Sequence, residues 1–188
     1  MASNFNGFIR TESYDSDNTH YVQITGKLRI NGRPVSSVRA VELLHLVASN
    51  DNQMSRNEIE LHLYRGYCAR SSLWYPLKVC QKSGVDIRYS KKERTVFLYS
   101  PIKFDYDLAM HFLEQRDLNA ALWILNGWPV TNQAESYFEY LLEKLRNELK
   151  SASSHYYWSE IEEIFESIDR KCQGNGANRY SSHSLCVS

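Results

Sequence analysis

Apolar and polar residues alternate along YVQIT, GKLRI and NGRPV, and Gly26 and the Asn31–Gly32 pair interrupt the alternation. A period of two with such breaks predicts a small antiparallel sheet with tight turns. The period then becomes helical: Val38, Val41, Leu43, Leu44, Leu46 and Val47 fit one helical face, which ends at the polar stretch SNDNQ. A second helix is expected from Ser55. Ser55 and Glu58 have the spacing of a capping box, in which each side chain satisfies the other residue's free backbone N–H. Ile59 and Leu63, with Leu61 or His62, make its inward stripe, and Gly66 is its expected stop. A third helix is expected over 72–82. The β-rich runs GVDIRY and TVFLYSP on either side of the charged turn SKKER predict a hairpin, which Pro101 closes.

Beyond Pro101 the pattern is helical throughout. FDYDLAMHFLEQRDLNAALWILNG holds two short helices, the second capped by Asp117 and stopped by Gly127. NQAESYFEYLLEKLRNELKSA is a longer amphipathic helix with Phe138, Leu141, Leu142, Leu145 and Leu149 on one side. SEIEEIFESIDRKC is another, carrying Ile161, Ile164, Phe165 and Ile168. The aromatics Trp123, Trp128, Tyr137, Phe138, Tyr140, Tyr156, Tyr157 and Trp158 are expected mostly between these helices. The pattern divides the 188 residues into a flexible arm (1–20), a sheet–helix–hairpin unit (21–101), a helical unit (102–172) and a disordered tail (173–188).

Composition narrows the class. An apolar content of 43% and a charged content of 23% are those of an ordinary globular protein, so a packed core is expected. No apolar run approaches the roughly 18 residues needed to span a bilayer. The first residues have neither a basic nor an apolar stretch of the secretory type. The expectation is a cytoplasmic protein with no membrane partner. The net charge is zero, but it is unevenly spread: residues 21–101 hold thirteen basic and six acidic side chains, and residues 102–188 hold eight and thirteen. A basic unit followed by an acidic one suggests two modules with different partners.

The order strands, helix, helix, helix, hairpin is that of a winged helix-turn-helix, in which the third helix enters a major groove and the hairpin lies along the neighbouring backbone. At 100° per residue, Leu73, Leu77, Cys80 and Gly84 fall on one face of the third helix, and Ser71, Tyr75, Lys78 and Lys82 on the other. The expected DNA-binding set is Arg70, Ser71, Ser72, Tyr75, Lys78 and Lys82 from the helix and its approach, with Lys91, Lys92 and Arg94 from the hairpin turn for phosphates. Pro76 within this helix would remove a backbone hydrogen bond unless it falls in the first turn. No arginine stands on the face predicted to meet bases, although arginine to guanine is the commonest specific contact.

The stretches ITGKLRINGRPV, RAVELLHLVASN, MSRNEIELHLYRG and LKVCQKSGVDIRY together resemble the OmpR/PhoB-type winged helix, most closely that of the Streptomyces antibiotic regulatory proteins. FDYDLAMHFLEQRDLNAALWILNGWPV is similar to the opening of the bacterial transcriptional activation domain that follows it in that family, here shortened. The resemblance covers roughly residues 21–150, although Val79 and Gln81 stand where the family is familiar with basic residues. It implies an α+β protein: a winged helix with N-terminal antiparallel strands, then an all-α domain of tetratricopeptide-like helical hairpins. It further implies promoter binding on double-stranded DNA repeats, a homodimer and contact with RNA polymerase.

Other chemistry finds little footing. There is no GxGxxG, GKS/T, GxSxG or HExxH stretch, and the Glu162–Glu163 pair reads as a solvated helix face, so no catalytic residue is expected. Cys68, Cys80, Cys172 and Cys186 form no CxxC pair and read as buried or idle thiols; His45 and His62 read as packed or half-exposed histidines. Neither a metal nor another cofactor is expected. The alternative to a DNA-binding regulator is a non-enzymatic protein-interaction adaptor, using the same fold without reading DNA.

Overall fold

The computed structural model describes residues 19–64, 72–125, 137–153, 157–163 and 165–166. These form a mixed α+β structure. The elements run β1 (His20–Gln23), β2 (Arg29–Ile30), β3 (Arg33–Pro34), α1 (Val38–Ala48), β4 (Gln53–Ser55), α2 (Arg56–Tyr64) and α3 (Trp74–Lys82). They continue with β5 (Ile87–Ser90), β6 (Thr95–Leu98), β7 (Ile102–Phe104), α4 (Asp105–Glu114), α5 (Leu118–Ile124) and α6 (Tyr137–Ala152). Residues 157–163 are also helical. None of the described helices is long and apolar enough to cross a membrane.

The first sheet has the order β3-β2-β1-β7. Its hairpin pairs Ile30 with Arg33, and Asn31 and Gly32 both have positive φ (51° and 73°). Those angles belong to the tight turn that matches strand twist, which is why an Asn-Gly pair makes it. The fourth strand was not expected from the sequence pattern. β7 pairs in parallel with β1, Val22 opposite Phe104, so the sheet extends past Pro101 into the stretch read as purely helical. Asp105 reinforces the joint. Its carboxylate accepts from the backbone N–H groups of Ile24 (2.8 Å), Thr25 (3.0 Å) and Tyr106 (2.9 Å), and from the Thr25 hydroxyl. Complete burial pushes the Asp105 carboxyl up to about 6, against these bonds, which favour the anion.

The second sheet has the order β4-β6-β5. The β5–β6 hairpin is as expected, with Ser90 opposite Thr95 across the four-residue turn. β4 begins at Gln53, the last residue of the stretch read as a polar end to the first helix, and takes in Ser55, which was read as the start of the second. Asp51 and Asn52 both have positive φ (53° and 61°), and the turn they make swings Gln53–Ser55 back against β6.

α1 is the central element. Ser37 caps it by accepting from Ala40 N–H at 3.2 Å, and every residue from Ala40 to Val47 is buried. One apolar face was expected, but α2, α3 and β6 cover one side while Glu42 and His45 take polar partners from later helices on the other. The capping box forms as expected, Ser55 N–H donating to Glu58 at 3.0 Å and Glu58 N–H to the Ser55 hydroxyl at 3.3 Å. Hydrogen bonding from the Ser55 hydroxyl, and then from the Ser55 backbone N–H, holds the Glu58 carboxyl below its ordinary range. Ile59 and Leu63 form the inward stripe of α2, whereas Leu61 and His62 point outward; Gly66 lies outside the described residues.

In the helical part, Asp117 caps α5 by accepting from Ala120 N–H at 3.0 Å, and α6 buries Phe138, Leu141, Leu145 and Leu149, with Leu142 half-buried. Ile161 and Phe165 are buried beyond it; Gly127, Ile164 and Ile168 lie outside the described residues. The aromatics divide. Phe138 is buried and Tyr137 and Trp158 half-buried, but Trp123, Tyr140 and Tyr157 face solvent instead of the core; Trp128 and Tyr156 are not among the described residues.

Candidate nucleic-acid interface

α3 begins at Trp74, two residues later than the sequence pattern placed it. Pro76 is then its third residue. The first four N–H groups of a helix have no intrahelical partner, so the missing proline N–H costs nothing there and the helix runs on to Lys82. Leu73, Leu77 and Cys80 are buried and hold α3 against α1, the Cys80 thiol donating to the Ala40 carbonyl at 3.4 Å. Burial pushes that thiol up to about 12, so it is a packing group rather than a nucleophile. Gly84 does not belong to this face: it is exposed and lies beyond the helix.

The opposite face is open. Tyr75 is 61% exposed, Lys78 and Lys82 are exposed, and Trp74, which the sequence reading passed over, is 57% exposed. The Lys78 ammonium sits 5.3 Å from the centre of the Trp74 ring, one helical turn away, in a cation–π arrangement. Ser72 is half-exposed at the approach to α3, its carbonyl accepting from the Tyr64 hydroxyl at 2.9 Å. Arg70 and Ser71 lie outside the described residues. At the tip of the hairpin, Lys91, Lys92 and Arg94 are all exposed; Arg94 has φ 55° and reaches Asn57 at 3.4 Å.

The arginines of this part of the chain are largely committed. Arg39 pairs with Glu42 (2.8 Å), Arg56 with Glu60 (2.5 Å), and Arg88 grips Asp86 through two bonds of 2.7 Å. Lys82, Lys91 and Lys92 have no such partner among the described residues. Among the described residues, the exposed positive charge of α3 and the hairpin tip is carried by Lys78, Lys82, Lys91, Lys92 and Arg94. Gln81 is bound to the hairpin as well, its side-chain amide donating to the Ile87 carbonyl at 2.7 Å, and this fixes α3 relative to β5.

A second polar cluster joins α1 to the later helices, and no local pattern signalled it. Glu42 accepts from Tyr137 N–H at 3.0 Å as well as from Arg39. His45 lies between the Tyr137 hydroxyl (3.1 Å) and Asp107 (3.4 Å), with its ring against Phe104. The Tyr106 hydroxyl beside it is buried and has no hydrogen-bond partner among the described residues. Also among the described residues, no group of three or more His, Cys, Asp or Glu side chains is placed to hold a metal. Comparisons of the chain with protein-family models, with characterised proteins and with solved structures find no match.

Proposed function

We propose that the chain is a DNA-binding transcriptional regulator of the winged-helix type, acting in the cytoplasm. In this reading α3 lies in the major groove, the β5–β6 hairpin is the wing, and the later helices serve for dimerisation or contact with RNA polymerase. The observation that carries it is the division of α3: Leu77 and Cys80 anchor it on α1, and Tyr75, Lys78 and Lys82 face outward on the side opposite. A lysine-tipped hairpin tied to α3 through Gln81 supplies charge beside it. Exposed lysines on a fixed helix and turn are what phosphate contacts need, and such contacts position a protein on duplex DNA before any base is read. The resemblance to the OmpR/PhoB-type winged helix, and to the regulators that add an activation domain of tetratricopeptide-like helices, points the same way.

The test is retention of a random duplex library by the purified protein over a salt series, with sequencing of what is retained. Four lysines on phosphates give a log–log slope of about −3.6, so affinity should fall roughly a hundredfold between 50 and 200 mM salt. No retention at low salt would overturn the reading. The rival, a protein-docking adaptor, is favoured by one observation: Trp123 is 72% exposed on α5, as an interface anchor would be. Apolar docking of that kind should change little with salt.

A further inference from the structure

We infer, resting on the DNA-binding reading above, that α3 selects thymine-bearing duplex by apolar contact between the Tyr75 ring and thymine methyl groups. The inference comes from what the outward face of α3 offers once its commitments are counted. The helix has no arginine. Arg88, on the adjoining strand, is held by both oxygens of Asp86 and lies 5.2 Å from the Tyr99 ring. Gln81 could read adenine only by presenting its amide to the base edge, but that amide is turned to the Ile87 carbonyl. Lys78 is held over Trp74, and Lys82 stands at the far end of the helix.

Tyr75 remains. It is the second residue of α3, in the turn that meets base edges when a helix enters the groove. Its ring is 61% exposed, and no hydrogen bond or ring contact holds it among the described residues. Apart from what its hydroxyl can donate or accept, the ring of a tyrosine at that position can cover the thymine C5-methyl, the apolar feature that the major groove presents at no other base. Covering one methyl group is worth about a fourfold gain in affinity.

The experiment takes the duplex enriched from the random library and a copy in which uracil replaces thymine, which deletes the methyl and leaves base pairing intact. Wild-type protein and Tyr75→Ala are titrated with both, at one salt concentration. The expected result is a loss of about fourfold per contacted methyl for wild type, and equal binding of the two duplexes by Tyr75→Ala, whose thermal melting should match wild type. Equal binding of both duplexes by wild type, or an unchanged uracil penalty in the variant, would overturn the inference while leaving phosphate-driven DNA binding in place. Failure of wild type to hold any duplex at low salt would overturn the DNA-binding reading, and this inference with it.

Discussion

Glu42, in the middle of α1, accepts the backbone N–H of Tyr137 at 3.0 Å, ninety-five residues along the chain. Its carboxylate is fully buried, and its other oxygen takes Arg39, whose side chain is one-quarter exposed. The start of α6 is therefore satisfied by an anion from the central helix, which suits the positive end of a helix. Glu42→Ala should leave the Tyr137 N–H and the Arg39 guanidinium without their acceptor and cost about 3 kcal/mol. Glu42→Gln keeps an acceptor for Tyr137 and should cost less, about 1 kcal/mol. Urea unfolding of the two variants checks this, and equal losses would mean that the bond to Tyr137 contributes nothing.

The Asp105 carboxyl sets a pH dependence opposite to that of most acids. Because burial raises it from its ordinary 3.8 to about 6, the folded state holds its proton more tightly than the unfolded state. The stability this contributes is complete below about pH 3.8 and is lost as pH rises through about 6. A rise of that size is worth on the order of 3 kcal/mol. The stability of wild type relative to Asp105→Asn should therefore decline between pH 4 and 7. A flat difference would show that the bonds from Ile24, Thr25 and Tyr106 cancel the cost of burial.

Tyr106 offers a stabilising substitution. Its buried hydroxyl has no partner among the described residues, and leaving such a group unsatisfied costs about 1–3 kcal/mol. Tyr106→Phe removes the hydroxyl and keeps the ring that packs edge-on to His45. Thermal melting should rise by a few degrees in this variant; a fall would indicate a partner lost.

Charge reversal at Lys78 and Lys82 separates binding from folding. Both residues are exposed, so the double substitution to Glu should leave melting within about 0.5 kcal/mol of wild type. DNA binding should be lost at moderate salt. Intact binding in the double variant would remove α3 from the interface.

Local chemistry was legible in the sequence where a side chain acts within its own turn. Ser55 with Glu58, Asp117 with Ala120, and the Asn31–Gly32 turn all work over at most three residues, and each stands where its spacing placed it. What stayed hidden depends on distant partners. β4 contributes a single inward side chain, Met54, too little for a period to show. β7 is recognisable only through β1, and the burial of Glu42 and His45 only through Tyr137 and Asp107. In the candidate site, the face of Tyr75, Lys78 and Lys82 could be read from helical spacing, since it needs only α3 and the core beneath it. The same spacing sets Trp74, four residues before Lys78, on that face, although its apolar ring gave no polar signal to single it out.

The parallel pairing of β1 with β7 fixes an order of events during synthesis. Ile24 must wait for Asp105, eighty-one residues later, before its N–H finds an acceptor. At roughly 5–20 residues per second the ribosome needs several seconds to deliver it. Throughout that interval the outer edge of β1 is open to any other extended strand that passes. The nascent chain is thus most prone to mispairing before Phe104 emerges, and a pause in translation shortly after Pro101 would lengthen that exposure.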